Sequence, residues 1–113
     1  MNEHIKITPA SGQYIVRAGG AVLGESRAAL ELREGDYPAV IFFPASDIAT
    51  AFLDESETAS HCPHKGDARY FSIQTKSRVI EDAAWYYEAP HKNVALIAGH
   101  IAFFTDKVTV EKV

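Results

Sequence analysis

Short stretches in which apolar and polar residues alternate recur along the chain, and residues with turn chemistry separate them. Residues 14–18 and 21–25 form the clearest pair, because the Gly19-Gly20 dipeptide between them favours the positive φ angles of a tight hairpin turn. In an extended chain such alternation places successive side chains on opposite faces. The pattern therefore predicts a β hairpin over residues 14–25.

Strand-like patterns between turn signals predict further strands down the chain, and for residues 39–43 the pattern is a continuous apolar run that Pro44 ends. They cover residues 30–33, 39–43, 68–75, 78–81, 83–88, 101–104 and 108–111. Residues 28–33 also have good helix propensity, but the alternation of Leu30-Glu31-Leu32-Arg33 and the β surroundings favour a strand. The predicted fold class is therefore mainly β, a single domain of about eight short antiparallel strands.

The segments between these strands are expected to be irregular. Residues 1–13 are polar and contain chain breakers, which predicts a loose N-terminal lead-in to a β domain over residues 14–112. Residues 48–51 and 91–98 each have room for one short helical turn. The acidic residues 54–57 are expected to form a solvated connection.

Composition narrows the class of protein. A chain of 113 residues fits one domain with one core, and a net charge of −4 argues against a nucleic-acid binder. No apolar run approaches the roughly 18 residues of a membrane span, and the start lacks the pattern of a signal peptide. One cysteine cannot form an intramolecular disulfide, which fits a reducing compartment. We therefore expect a soluble cytoplasmic protein without a nucleic-acid or membrane partner.

Reactive side chains are concentrated in residues 61–70, His-Cys-Pro-His-Lys-Gly-Asp-Ala-Arg-Tyr. Loops are ordinarily built from Gly, Pro, Asn, Asp and Ser for reasons of backbone geometry. A loop over residues 61–67 that carries His, Cys, Lys and Asp instead indicates chemistry or ligand contact. We take this stretch as the candidate site.

One interpretation of the stretch is a thiol nucleophile at Cys62. The thiolate is the reactive form of cysteine and is favoured by neighbouring cations. His61, His64 and Lys65 would supply that charge, while Asp67 or another carboxylate orients a histidine. Cys62, His61 and Asp67 are the candidate catalytic residues. The alternative is that Cys62 is a small hydrophobic side chain packed beside Pro63.

A second interpretation is a pocket for an anionic or planar small molecule. Lys65 and the Gly66 amide would hold an anion, and aromatic residues would supply a flat wall with polar tips. If strands 68–75 and 78–81 are antiparallel neighbours, residues after Glu81 run back past the loop. The candidate ligand-binding residues are Lys65, Gly66, Tyr70, Asp82, Trp85, Tyr86 and His100. The alternative is that the aromatic residues are core and Lys65 is solvated.

Neither a metal site nor a bound cofactor is expected. Zinc prefers several Cys or His ligands, but His61 and Cys62 are adjacent and would point apart in an extended chain. Nucleotidyl transfer needs carboxylates that hold metal ions on the phosphates. The adjacent pairs Asp54-Glu55 and Glu81-Asp82 would face opposite ways, and the chain has no Asp-x-Asp motif.

Several motifs together resemble the family called domain of unknown function 427. They are HCPHKGDA at 61–68, EDAAWYYE at 81–88, IAGHIAF at 97–103 and Phe43-Pro44-x-x-Asp47. The resemblance covers residues 14–112 and implies a compact, mostly β fold of the β-tent or Mss4-like kind. The family carries a nucleotidyltransferase-like label but no established reaction.

The function predicted from the sequence is a small-molecule pocket built around residues 61–70. A thiol-dependent or nucleotidyl-transfer enzyme that uses Cys62 and His61 is the first alternative. A protein-interaction module, which would show an exposed apolar patch beside the loop, is the second.

Overall fold

Ten β-strands and three 3₁₀ turns make up the computed structural model, which describes residues 4–113. The strands are β1 (Ile5–Pro9), β2 (Tyr14–Ala18), β3 (Ala21–Ser26), β4 (Leu30–Glu34), β5 (Val40–Pro44), β6 (Leu53–Cys62), β7 (Gly66–Gln74), β8 (Val79–Tyr87), β9 (His100–Phe103) and β10 (Thr109–Lys112). The 3₁₀ turns are Ala45–Asp47, Thr50–Phe52 and Lys92–Ile97. The mainly β fold class is confirmed, with ten strands rather than about eight.

The strands form two antiparallel sheets. The larger has seven strands in the order β1-β4-β5-β9-β8-β7-β6, and the smaller has three in the order β10-β2-β3. The predicted hairpin on Gly19-Gly20 is β2 and β3, and the alternating residues Leu30–Glu34 are the strand β4. No helix among residues 4–113 is long and apolar enough to cross a membrane.

Alternation along the large sheet divides its apolar side chains between two clusters. The first cluster takes Phe43 from β5 and Val16 from β2, so it joins the two sheets. The second takes Phe42 on the opposite face, together with Val94 and Ile97 of the third 3₁₀ turn. Because successive strand residues face opposite ways, one Phe-Phe pair supplies both clusters.

The lead-in prediction for residues 1–13 is wrong within the described part, since Ile5–Pro9 is a strand. β1 pairs with β4, with Ile7 opposite Leu32, and Ile5 and Ile7 pack against the second cluster. The alternation of these isoleucines was the overlooked signal. Pro9 fits because β1 is an edge strand and ends there, so no ladder bond is lost.

The acidic connection and the reactive loop also differ from expectation. Residues 54–57 belong to β6, a ten-residue edge strand whose polar side chains are mostly exposed and whose register shifts between Glu55 and Ala59. Charged and bulged edges of this kind discourage pairing with other chains. The predicted loop 61–67 is the end of the β6–β7 hairpin, with Cys62 opposite Gly66.

The small sheet is tied to the large one at Gly24, which forms a bridge with Ile48 between two 3₁₀ turns. A Cβ atom at Gly24 would lie 2.5 Å from the Asp47 carbonyl oxygen. Gly24→Ala is therefore expected to lower the free energy of unfolding by about 2 kcal/mol, the usual cost of overpacking.

Urea denaturation measures this cost, and Gly20→Ala is the matched control. Gly20 has φ +84 but no atom within 4 Å of an added Cβ, so its substitution strains only the backbone, by about 1 kcal/mol. If both variants lose the same stability, the close approach at Gly24 is not what requires glycine.

Candidate functional site

Curvature of the large sheet brings the β6–β7 turn against the end of β4. Four strand spacings separate β4 from β7, roughly 19 Å in a flat sheet. Lys65 Nζ nevertheless lies 2.6 Å from Glu34 Oε1. The sheet must therefore roll up, and its concave face encloses a cavity beside this ion pair.

The cavity has a volume of about 280 Å³ and a largely aromatic lining. The aromatic residues that line it are Tyr37, Phe42, Tyr70, Trp85, Tyr87 and Phe104. Phe104 lies 4.4 Å from Trp85 and 6.2 Å from Tyr70 between ring centroids, and its ring is nearly parallel to that of Tyr70. The walls are flat surfaces with polar tips, a form suited to planar groups.

The Lys65–Glu34 pair supplies charge at one side of the cavity. The two side chains are only 13% and 19% exposed. The hydrogen bond from Lys65 lowers the pKa of Glu34, and this effect outweighs the opposing effect of burial. Burial alone would lower the pKa of Lys65, but the hydrogen bond to Glu34, interactions with Tyr87 and Cys62, and the charge of Glu34 outweigh it and the pKa is raised. Both groups are therefore charged at neutral pH.

Tyr87 places a neutral hydroxyl near this pair. Burial raises the pKa of Tyr87, and the positive charge of Lys65 opposes that effect in part. The phenol therefore stays protonated at neutral pH and retains its donor hydrogen.

A second hollow of about 560 Å³ adjoins the cavity. Both are lined by Tyr37, Pro38, Val40, Trp85 and Phe104. Tyr37 is 74% exposed, which is unusual for a large aromatic side chain next to a hollow. The Trp85–Phe104 pair is thus a wall shared by two recesses, with Tyr37 at the rim.

A larger cavity of about 610 Å³ lies elsewhere, around the Gly19-Gly20 turn and Phe52. Its lining is mostly apolar, with Lys76 as its charged residue, and includes none of the residues predicted for the site. We take the smaller cavity as the candidate site because it combines aromatic walls with a partly buried charge pair.

Three of the predicted residues meet in this cavity, namely Lys65, Tyr70 and Trp85. Gly66 follows Lys65 in the chain but does not line the cavity. With φ +120 and Ala89 O 3.3 Å from an ideal Cβ, Gly66 lets the hairpin end pack closely on residues 89–91. The His91 amide, which donates to Lys65 O at 2.9 Å, fixes the same approach.

The other predicted residues lie outside the cavity. His61 Nδ1 donates to Asp67 Oδ1 at 2.7 Å on the exposed hairpin. Tyr86 faces the first cluster, opposite to Trp85 as strand alternation predicts, and its hydroxyl donates to Glu55. This separation corrects the prediction of one recess containing both aromatic residues.

Asp82, His100 and Cys62 are also held apart from the cavity. Asp82 has φ 48, and hydrogen bonds from Ser56 and then from Thr58, whose Oγ1 lies 2.7 Å from Asp82 Oδ2, lower its pKa. His100 Nδ1 bonds to Ala98 O at 2.9 Å. Cys62 is partly buried and packs against the second cluster.

Sequence reasoning missed Glu34, Tyr37 and Phe104. Glu34 pairs with a residue 31 positions away, and only the rolled sheet brings the two together. Tyr37 had a visible signal, because a large aromatic side chain stands in a Gly-Asp-Tyr-Pro turn where small residues are usual. Phe104 directly follows β9, and nothing in the surrounding sequence distinguishes it from a core residue.

Comparison with known proteins places the chain in a family without assigning a reaction. No curated protein matches it significantly. One family profile, described as a domain of unknown function (DUF427), matches residues 6–113, nearly the whole chain. The protein therefore belongs to the DUF427 family.

Proposed function

We propose that this protein binds a small planar molecule in the cavity beside Lys65. The observation that supports the proposal is a recess with six aromatic lining residues, closed on one side by a partly buried ion pair. Recesses that combine apolar walls with a few fixed polar groups are the usual form of small-molecule sites.

The ion pair offers complementary polar atoms to the edge of a ring. Lys65 carries an ammonium group with three donor hydrogens, and Glu34 carries a carboxylate that only accepts. One Glu34 oxygen bonds Lys65 at 2.6 Å. A carboxamide, or a heterocycle with a donor next to an acceptor, can satisfy both groups while its ring lies against Trp85.

The same pair favours a neutral planar ligand over a simple anion. The charge of Lys65 is already balanced by Glu34, so an incoming anion must approach that carboxylate or displace it. A like charge at such a distance is costly in a partly buried site. The volume of about 280 Å³ is just below the usual range of about 300–1,000 Å³ for ligand pockets, which suits a ligand of one or two rings.

The other predicted functions have less support. Cys62 and His61, the candidates for thiol chemistry, do not line the cavity. Among residues 4–113, Glu34 is the one carboxylate that does, and nucleotidyl transfer needs paired carboxylates. These activities, the protein-interaction module, the Mss4-like relationship and the cytoplasmic location all stay predictions.

The single tryptophan makes the proposal directly testable, because the Trp85 indole N–H gives one assignable nuclear magnetic resonance signal. Three probes separate shape from charge: benzamide is planar and neutral, benzoate planar and anionic, cyclohexanecarboxylate anionic but not planar. We expect benzamide to shift the Trp85 signal in a saturable way and cyclohexanecarboxylate to leave it unchanged.

Two variants localise the effect. Tyr37→Ala removes an exposed rim residue and is expected to weaken benzamide binding at least about threefold, the loss of one aromatic contact. Phe52→Ala removes an aromatic residue that is 53% exposed beside the other cavity and should change nothing. A response to both acids but not to benzamide would instead indicate an anion site. If none of the three probes shifts the Trp85 signal, the proposal is contradicted and the protein-interaction module is favoured.

A further inference from the structure

Two histidines lie near the Glu34 carboxylate, with His4 beside the oxygen that does not bond Lys65. His4 Nε2 is 3.6 Å from Glu34 Oε2, and the His4 and His64 rings meet edge to face at 5.1 Å between centroids. One potential ligand atom from each of His4, Glu34 and His64 lies within 4.8 Å of the other two. Among residues 4–113 this is a group of metal-ligating type assembled from three separate segments.

The backbone of each segment is fixed by its own hydrogen bonds. The Gly35 amide donates to His4 O at 2.9 Å, which joins the start of β1 to the end of β4. The Lys65 amide donates to Cys62 O at 3.2 Å and closes the turn that carries His64. The cluster therefore results from the fold rather than from one flexible stretch.

We propose that His4, Glu34 and His64 form a Zn²⁺-binding site. Two imidazoles and one carboxylate are a ligand set that zinc accepts in proteins, with a fourth position left for water or another ligand. Ligand atoms about 2.05 Å from a tetrahedral ion are roughly 3.3 Å apart. The 3.6 Å contact is close to that value, and a separation of up to 4.8 Å closes with a small rotation of exposed histidine side chains.

Lys65 has two opposing effects on such a site. Its bond to Glu34 Oε1 orients the carboxylate and leaves Oε2 towards His4, as outer partners of metal ligands commonly do. Its positive charge repels the cation. The site shares Glu34 with the planar-ligand cavity but does not depend on a ligand there, so either proposal can fail without the other.

Isothermal titration of Zn²⁺ into the full chain, with any affinity tag removed, tests the assignment. We expect one equivalent to bind with a dissociation constant below about 10 µM, a limit weaker than the affinities of structural zinc sites. His4→Gln and His64→Gln are each expected to weaken binding at least about tenfold. Both side chains lie at the surface, so circular dichroism should show the fold retained.

His61→Gln is the stringent control, because His61 is on the same hairpin, is exposed and has its own carboxylate partner in Asp67. It should alter the affinity by less than about twofold, and zinc should raise the melting temperature of this variant but not of His64→Gln. Loss of binding in His61→Gln equal to that in His64→Gln would overturn the assignment. So would unchanged binding in His4→Gln, or no binding by the parent chain tighter than about 100 µM.

Discussion

Replacing Phe42 by Ala is expected to lower the free energy of unfolding by about 3–4 kcal/mol, the cost typical of emptying a buried phenylalanine site. Phe42 is 1% exposed and forms the floor of the candidate cavity. Its ring lies 6.3 Å from Trp85 and 6.5 Å from Tyr87 between centroids. Removing it takes away both the burial and the surface on which these two aromatic residues rest.

Phe43→Ala is the matched control, because the adjacent side chain is 0% exposed on the opposite face of the same strand. This variant should lose a similar amount of stability in urea denaturation, since the Phe43 ring packs 5.8 Å from that of Phe103 between centroids, in the cluster that joins the two sheets. Only Phe42→Ala should shift the fluorescence emission of Trp85 in the folded protein. Equal spectral shifts in both variants would mean that the two clusters are not independent and that Phe42 does not support the cavity.

The strand pattern could be read from the sequence because it is local. Alternation over Trp85-Tyr86-Tyr87 predicts which of these side chains share a face, and the structure agrees. Long polar strands are harder, since an edge strand such as β6 has no buried face to impose alternation. Its acidic residues therefore look like a loop even though their backbone is extended.

The candidate site was predictable only in part, because its contacts are made across the rolled sheet. The motif around Lys65 marked the hairpin end, and the aromatic run marked Trp85. Nothing local connects Glu34 or His4 with that turn. His4 stood in a segment expected to be a loose lead-in, and the pairing of β1 with β4 is what brings it to Glu34. Sequence patterns predict which side chains share a face and where the chain turns, whereas the curvature of the large sheet determines which strand ends lie close together.

Lys65→Met is expected to lower the free energy of unfolding by about 2–3 kcal/mol at pH 7, because it leaves Glu34 partly buried without its main counter-charge. Breaking a fully buried pair costs about 3–5 kcal/mol, and the residual exposure of both side chains reduces that figure. His4 lies 3.6 Å from the same carboxylate, and only a protonated His4 would offset part of the lost positive charge. Urea denaturation in the presence of a chelator measures the loss without interference from metal ions.

The dependence on pH and a second substitution identify the cause. The bond from Lys65 lowers the pKa of Glu34, so the stability it provides is present above the ordinary value of 4.5 and is lost as the pH falls through the folded-state pKa. The difference between the parent chain and Lys65→Met should therefore shrink as the pH falls below 4.5. Adding Glu34→Gln to Lys65→Met removes the stranded charge and should recover at least about 1 kcal/mol at pH 7. If the double variant is as unstable as Lys65→Met and the loss does not change with pH, the lysine stabilises the hairpin end through its hydrocarbon stem, and the ion pair is not the element that closes the cavity.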